Sequence, residues 1–207
     1  MKTMQQFVET IKIEDGKALN LNFHQARMER TMRHFFAHTP VPVLSGILSP
    51  TPDMHFYKAR VVYGGQGVKD VQYAPYKMRE IRSLKLVEDN EIDYSFKSTD
   101  RACLNRLTAQ KGDCDEVLIV KNGLLTDTSF TNVAVFDGER WLTPKHPLLM
   151  GTKRASLLER QVIKEADISV ETLMKAQKVS LINAMIDLGD CIWRLNQQVM
   201  NELHLNE

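Results

Sequence analysis

Three groups of residues between positions 97 and 152 could together do chemistry on one small molecule. They are a lysine, Lys97, an acid, Asp127, and a Gly-Thr pair at a predicted helix start, Gly151 and Thr152. An amine can bond an aldehyde, a carboxylate can hold a pyridinium, and a helix N-terminus can hold a phosphate. Their order and spacing are those of a cofactor-sized site.

Lys97 can act as a nucleophile only where enough of its amine is neutral. A free lysine has a pKa of about 10.4, so burial or a neighbouring cation must lower that pKa. Lys97 follows the apolar-leaning segment Tyr94-Ser95-Phe96. Most lysines are solvated surface residues. The prediction therefore rests on the residues downstream of Lys97 rather than on Lys97 alone.

The composition argues against several classes of partner. The 207-residue chain carries 27 Lys and Arg against 26 Asp and Glu, a formal net charge of +1. This balance gives no electrostatic basis for nucleic acid or an anionic membrane as the main partner. No apolar run approaches a membrane span, and residues 1–6 lack a signal-peptide core, so we predict a cytoplasmic protein. The widely spaced Cys103, Cys114 and Cys191 indicate reduced structural thiols and no metal site.

The N-terminal half has the alternation typical of an antiparallel sheet. Residues 7–13 predict a strand, and Asp15-Gly16 predicts a tight turn to a partner strand over residues 18–23. Strong helix formers predict a helix over residues 24–36, and prolines break up the segment that follows. Further strands are predicted over residues 57–63, 68–73 and 81–87.

The C-terminal half mixes helices with short strands after a polar linker candidate at residues 88–91. The helices are predicted over residues 99–110, 152–165 and 195–205. The strands are predicted over residues 116–120, 124–136 with an irregularity near 127–129, 140–143, 168–170 and 179–182.

Six segments form a further pattern along the chain. No single segment is specific for one protein family, but their order and spacing together are. They are Glu9-Thr10-Ile11 with Asp15-Gly16, His24-Gln25-Ala26-Arg27, residues 60–64, residues 97–101, residues 115–132, and Thr143-Pro144 with Gly151-Thr152-Lys153-Arg154. In this order they resemble the class IV pyridoxal-phosphate aminotransferases. That family includes branched-chain aminotransferase, D-amino-acid aminotransferase and aminodeoxychorismate lyase.

The resemblance implies pyridoxal 5'-phosphate (PLP) as cofactor and gives matching residues a role. Lys97 would bond the cofactor aldehyde and later move the proton at the substrate α-carbon. Asp127 would face the pyridine nitrogen, where the family usually has a glutamate, which is one methylene longer. Arg27 would hold the phosphate together with the backbone N–H groups of Gly151 and Thr152.

Three more positions match the family. Asn183 and Ala184 match its second phosphate contact, and Ala184 stands where a hydroxyl residue is often found. Thr10 falls where aminodeoxychorismate lyase carries a threonine near the substrate, and the Lys97-x-x-x-Arg101 spacing is also closer to that lyase. Taken singly, several of these residues have a structural explanation. Asp127 could be a turn residue, Arg27 a solvated cation on a helix, and Gly151-Thr152 a helix N-cap. Thr10 could be an ordinary strand residue, and Asn183 could hydrogen-bond a buried backbone group.

The resemblance implies an α+β fold with two domains, the D-amino-acid aminotransferase-like fold of type IV. A small N-terminal α/β sandwich would occupy residues 1–90 and a larger cofactor-binding domain residues 91–207. A homodimer is also implied. The chain is short for the family, and its trimmed N-terminal half leaves the substrate open.

We therefore predict a PLP-dependent enzyme that acts on a small primary amine. Aminodeoxychorismate lyase is favoured, with elimination of pyruvate giving 4-aminobenzoate for folate synthesis. The first alternative is an amino-acid transaminase for branched-chain or D-amino acids. The second is a non-catalytic binding protein with the same fold.

Overall fold

A computed structural model describes residues 5–194, which group into two compact units. The N-terminal unit comprises residues 5–78 and 96–100, and the C-terminal unit comprises residues 79–95 and 101–194. Lys97 belongs to the N-terminal unit, and Asp127 and Gly151 belong to the C-terminal unit. The division into domains at residues 90 and 91 stays a prediction.

Four antiparallel strands and two helices build the N-terminal unit. In chain order they are β1 (Gln6–Glu14), β2 (Lys17–Ala18), α1 (Leu21–Phe35), α2 (Leu44–Ile47), β3 (Phe56–Gly64) and β4 (Gly67–Pro75). The order across the sheet is β2-β1-β3-β4. Asp15 and Gly16 have φ values of 46° and 73°, as the predicted tight turn requires.

Alternation along β1 gives the sheet a buried face, against which α1 packs. Phe7 and Ile11 on this face, and Met28 and Met32 of α1, are all 0% exposed. Each fully buried side chain of this kind contributes about 1.5–3 kcal/mol. Glu9 lies between Phe7 and Ile11 on the same face and is also 0% exposed. A carboxylate in such a core must have compensating partners.

Residues 96–100 run alongside the first half of β1. The backbone N–H of Val8 donates to the carbonyl of Lys97 at 3.0 Å, and that of Thr99 donates to the carbonyl of Gln6 at 2.9 Å. These bonds fix the backbone of Lys97 against β1 without using its side chain.

One sheet of eight strands and three helices build the described part of the C-terminal unit. In chain order they are β5 (Leu84–Glu88), α3 (Ala102–Thr108), β6 (Glu116–Lys121), β7 (Leu124–Thr128), β8 (Asn132–Phe136), β9 (Trp141–Pro144), α4 (Thr152–Glu159), β10 (Ile163–Ala166), α5 (Val170–Lys175), β11 (Lys178–Ile182) and β12 (Ile192–Arg194). The order across the sheet is β10-β9-β8-β7-β6-β5, with β11 paired to β8 and β12 paired to β11. The β5–β6 and β9–β10 pairs are parallel.

Two predictions for the N-terminal half are wrong. The partner strand predicted over residues 18–23 ends at Ala18, because Asn20 adopts a φ of 53° and α1 begins at Leu21. The third predicted strand begins at Leu84 and pairs in parallel with β6, so it lies in the C-terminal sheet. Alternation reveals a strand but not its distant partner.

The helix predicted over residues 152–165 is too long. It ends at Glu159, because Gln161 has a φ of 57° in the left-handed region, which ends a helix. The rest of the predicted helix is the strand β10, which pairs with β9. Ile163 is apolar in either interpretation, which is why periodicity misplaced it.

The strand predicted over residues 168–170 is also wrong. Ser169 is instead the N-cap of α5, and its hydroxyl accepts from the backbone N–H of Thr172 at 3.1 Å. The helix predicted over residues 99–110 is confirmed only for the shorter α3, and the helix predicted over residues 195–205 lies outside the described residues. No helix within residues 5–194 combines the length and the apolarity needed to cross a membrane.

Candidate active site

The N-terminal unit holds a buried cluster of polar side chains on the inner face of β1. Glu9 Oε1 accepts from Arg27 Nε at 2.9 Å, and Glu9 Oε2 accepts from Arg27 Nη2 at 2.6 Å. His24 Nδ1 lies 2.6 Å from the same Oε2. Arg27 is only 5% exposed, and Glu9 and His24 are 0% exposed. The His-x-x-Arg spacing puts both partners on one face of α1, and the bidentate pairing fixes the plane of the guanidinium.

Opposing effects set the protonation of this cluster. Burial would raise the pKa of Glu9, but the charge of Arg27 and the hydrogen bonds from His24 and Arg27 outweigh it and lower the pKa from 4.5 to about 2. Burial lowers the pKa of His24 below its usual 6.5; the bond to Glu9 opposes this shift, and the charges of Arg27 and Lys97 add to it. At neutral pH Glu9 is therefore ionised, and neutral His24 donates its Nδ1–H to Glu9.

Lys97 and Thr10 both lie in the N-terminal unit and are half-buried. The charge of Lys97 reaches His24, so the amine is within electrostatic range of the cluster. Successive residues of a strand point to opposite faces, so Thr10 faces away from Glu9. The roles of Lys97, Thr10 and Arg27 stay predictions.

Asp127 lies on β7 in the C-terminal unit and is 4% exposed. Its Oδ1 accepts from Asn132 Nδ2 at 2.8 Å, and its Oδ2 accepts from the backbone N–H of Leu149 at 2.8 Å. Asn132 Nδ2 also donates to the carbonyl of Leu149 at 2.8 Å. Both carboxylate oxygens are therefore held by amide donors.

Burial raises the pKa of Asp127 from 3.8 to about 7, although the N–H of Leu149, the amide of Asn132 and the charge of Arg154 each lower it. An acid with this pKa gains from any cation placed against it. A protonated pyridine nitrogen is such a cation, so Asp127 fits the role that the resemblance implies.

This raised pKa predicts how stability depends on pH. The folded protein binds the Asp127 proton more tightly than the unfolded chain does. The resulting stability is fully present below pH 3.8 and is lost as the pH rises through about 7. We expect the contribution of Asp127 to the free energy of unfolding to fall by roughly 2 kcal/mol between pH 5 and pH 7.

Chemical denaturation of the cofactor-free protein at a series of pH values measures this change. Asp127→Asn should remove it, and the difference between the two proteins isolates Asp127 from His24, whose lowered pKa acts with the opposite sign. Parallel pH profiles for wild type and variant would contradict the prediction.

The predicted phosphate cradle lies at the start of α4. Gly151 is the N-cap, without a side-chain capping bond among the described residues, and Thr152 is buried. Arg154 is 3% exposed and donates through Nη2 to the carbonyl of Pro144 at 2.8 Å and to Glu165 at 2.6 Å. Its Nε is buried and has no hydrogen-bond partner in the described part of the chain. A buried donor of this kind costs free energy unless a ligand or water supplies an acceptor.

Asn183 closes a turn with its own side chain. Its Oδ1 accepts from the backbone N–H groups of Met185 at 2.8 Å and Ile186 at 3.0 Å, and its Nδ2 donates to the carbonyl of Phe130 at 3.3 Å. These bonds agree with the structural explanation of Asn183. Phosphate contacts by Asn183, and by the half-buried Ala184, stay predictions.

The sequence interpretation assigned no role to Glu9 or Asn132. Glu9 could have been found from its position, because a charged residue at an inward-facing strand position needs a buried partner. Asn132 lies inside a matching segment, but its contacts depend on the β7–β8 register, in which it is the partner of Asp127. No local pattern gives that register.

Comparison with known proteins identifies the family. Residues 67–191, more than half of the chain, match the family model described as amino-transferase class IV. A Haemophilus influenzae protein described as uncharacterized is 38% identical over 186 residues, which cover 88% of this chain and 98% of that protein. The chain belongs to the class IV aminotransferase family. The predicted family and the mixed fold of type IV are confirmed.

Two further relatives carry more specific names. A solved Haemophilus somnus structure, provisionally named a 4-amino-4-deoxychorismate lyase, is 35% identical with a TM-score of 0.83, and the match covers 91% of this chain and 100% of that one. A Schizosaccharomyces pombe protein provisionally named an aminodeoxychorismate lyase is 27% identical over 189 residues, which cover 82% of each chain.

A third comparison concerns the fold alone. A hypothetical aminotransferase from Mycobacterium tuberculosis, solved in its PLP-bound form, is 19% identical with a TM-score of 0.72, and the match covers 92% of this chain and 80% of that one.

Proposed function

We propose that this protein is a PLP-dependent enzyme in which Lys97 bonds the cofactor aldehyde. The observation that carries the proposal is the buried Asp127 carboxylate, which is oriented by two amide donors in a member of the class IV aminotransferase family. Support also comes from the PLP-bound structure with a similar fold. PLP, when bound, supplies the aldehyde and an electron-accepting ring.

The residues that would hold this group are those that match the family. Asp127 would face the ring nitrogen and favour its protonated form, because a buried carboxylate gains from an adjacent cation. As the resemblance implies, Arg27 and the backbone at Gly151 and Thr152 would each contact the phosphate. The backbone at Asn183 and Ala184 would supply the second contact, since Ala184 has no hydroxyl.

The favoured reaction is the elimination of pyruvate from aminodeoxychorismate. Lys97 takes the proton from the amine-bearing ring carbon, the C–O bond to the side chain breaks, and the departing fragment takes up a proton as pyruvate. The ring becomes aromatic as 4-aminobenzoate, a folate precursor, and no oxidant is consumed. Two relatives provisionally named as this lyase support the choice, as does Thr10.

An amino-acid transaminase is the alternative, since the family is named for that reaction. It would use the same residues on a small amine but would need a keto acid to accept the amino group. The proposal includes a cytoplasmic homodimer, because the resemblance implies one and the composition argues against membrane or nucleic acid as partner.

Spectroscopy and product analysis of the purified protein test this function. Lysine-bound PLP should absorb in the near-violet, and borohydride should fix the cofactor to one peptide that contains Lys97. Release of 4-aminobenzoate from aminodeoxychorismate without a keto acid would establish the lyase, whereas turnover that requires a keto acid would establish the transaminase. A protein that stays colourless with added PLP would contradict the proposal.

A further inference from the structure

A closed ring of hydrogen bonds surrounds the Asp127 carboxylate. Asn132 is the register partner of Asp127 across β7 and β8, and its Nδ2 reaches both Asp127 Oδ1 and the carbonyl of Leu149, each at 2.8 Å. The N–H of Leu149 returns to Asp127 Oδ2 at 2.8 Å. The carboxylate cannot rotate without breaking two of these bonds.

We propose that Asn132 is a positioning residue that fixes the orientation of the Asp127 carboxylate, and that Gly151 is a glycine because it packs on the Asn132 amide. The inference rests on the proposed function only in taking Asp127 as the acid that meets the cofactor ring. Asn132 acts through Asp127 and bonds no reacting atom.

The geometry of Gly151 supports the second half of this proposal. Its φ of −70° and ψ of 145° are ordinary extended backbone, so conformation does not require glycine there. A Cβ built on Gly151 would instead overlap Asn132 Oδ1. The backbone at the start of α4 therefore packs against the Asn132 amide at a distance that only glycine permits. Through Asn132, this contact links α4 to Asp127.

The electrostatics of the ring favour the ionised acid. Both donors point N–H groups at carboxylate oxygens, which stabilises the charged form of Asp127. Among the described residues, Arg154 in the first turn of α4 is a charged group that also acts on Asp127. Loss of the Asn132 amide removes one donor while Arg154 remains, so the acid should hold its proton to higher pH.

Carboxyl ¹³C NMR of the cofactor-free protein tests the role of Asn132, with the Asp127 signal assigned by its loss in Asp127→Asn. Asn132→Leu is expected to raise the pKa of Asp127 by about one unit, which cuts its ionised fraction at pH 7 about fivefold. Asn105→Leu, at an exposed position of α3, is the control and should cause no shift. An unshifted Asp127 pKa in folded Asn132→Leu would overturn the proposal.

Gly151→Ala tests the packing and keeps the proposal testable if Asn132→Leu fails to fold. Its methyl group should displace the Asn132 amide and raise the Asp127 pKa in the same direction. In an Asn132→Ala background the same substitution should cause no further shift, because the colliding side chain is gone. A Gly151→Ala protein with the wild-type Asp127 pKa would refute the link.

These measurements need no cofactor, so the proposed function and the positioning role of Asn132 can be refuted independently. Absence of a near-violet band in wild type with PLP would refute the proposed function and leave the Asn132 result standing. A normal band in wild type together with an unshifted Asp127 pKa in both variants would refute the Asn132 proposal alone.

Discussion

Lys97→Ala is expected to abolish covalent capture of PLP and to lower turnover at least about 10³-fold. The amine is the group that bonds the aldehyde and moves the proton in the proposed reaction, and such effects are typical when a covalent catalyst is removed. The substitution should leave the fold intact, because the bond from Val8 N–H to residue 97 uses the backbone carbonyl. Mass spectrometry after borohydride treatment measures capture, and 4-aminobenzoate release measures turnover.

Lys77→Ala is the matched control. Lys77 is an exposed lysine of the same unit. In this variant the amount of PLP captured at Lys97 and the turnover should equal those of wild type. Near-UV circular dichroism of both variants establishes that folding is unchanged. A Lys97→Ala protein that is folded and turns over substrate within tenfold of wild type would rule out Lys97 as the catalytic amine.

The sequence predicted the local features of the N-terminal sheet well. Strands β1, β3 and β4 and the Asp15-Gly16 turn follow from alternation and turn chemistry, which act between near neighbours in the chain. The helix α1 is likewise confirmed, with its start shifted to Leu21. Each of these features has its physical cause within a few residues.

The errors have a common origin in contacts between distant residues. The strand β5 pairs with β6 across α3, and β10 pairs with β9 after the left-handed Gln161 ends α4. Neither pairing leaves a local pattern, because an apolar residue such as Ile163 suits a helix and a strand equally. Tertiary pairing decided both elements.

The site residues also divide into those found from local motifs and those that depend on contacts between distant residues. Motif order pointed to Asp127, which is buried with both carboxylate oxygens hydrogen-bonded, and its role stays a prediction. The sequence did not predict the residues that support these candidates, which are Glu9 for Arg27 and Asn132 for Asp127. Such a residue can be recognised only from its tertiary contacts.

Glu9→Gln is expected to destabilise the protein by about 3–5 kcal/mol, because it leaves Arg27 as a buried cation without its counter-charge. The new amide would also place N–H donors against Arg27 and His24, which both donate to Glu9 in the native protein. For a chain of this size the loss corresponds to a fall in Tm of roughly 10 °C. Thermal and chemical unfolding at pH 7 measure it.

The pH dependence gives this prediction a second readout. Because the folded protein lowers the Glu9 pKa from 4.5 to about 2, the stability that Glu9 contributes is present above 4.5 and is lost as pH falls toward 2. The difference in stability between wild type and Glu9→Gln should therefore be largest near neutral pH and shrink below pH 4.5.

Glu29→Gln on α1 is the control in the same unit. Glu29 pairs with Arg33 at 2.9 Å, and the Arg33 side chain is 74% exposed, so loss of this surface pair should cost less than about 1 kcal/mol. Removing both buried charges with Glu9→Gln and Arg27→Met should recover part of the stability, since an apolar replacement of a buried ion pair is often tolerated. Equal effects of Glu9→Gln and Glu29→Gln, or no recovery in the double variant, would show that charge compensation of Arg27 is not what Glu9 provides.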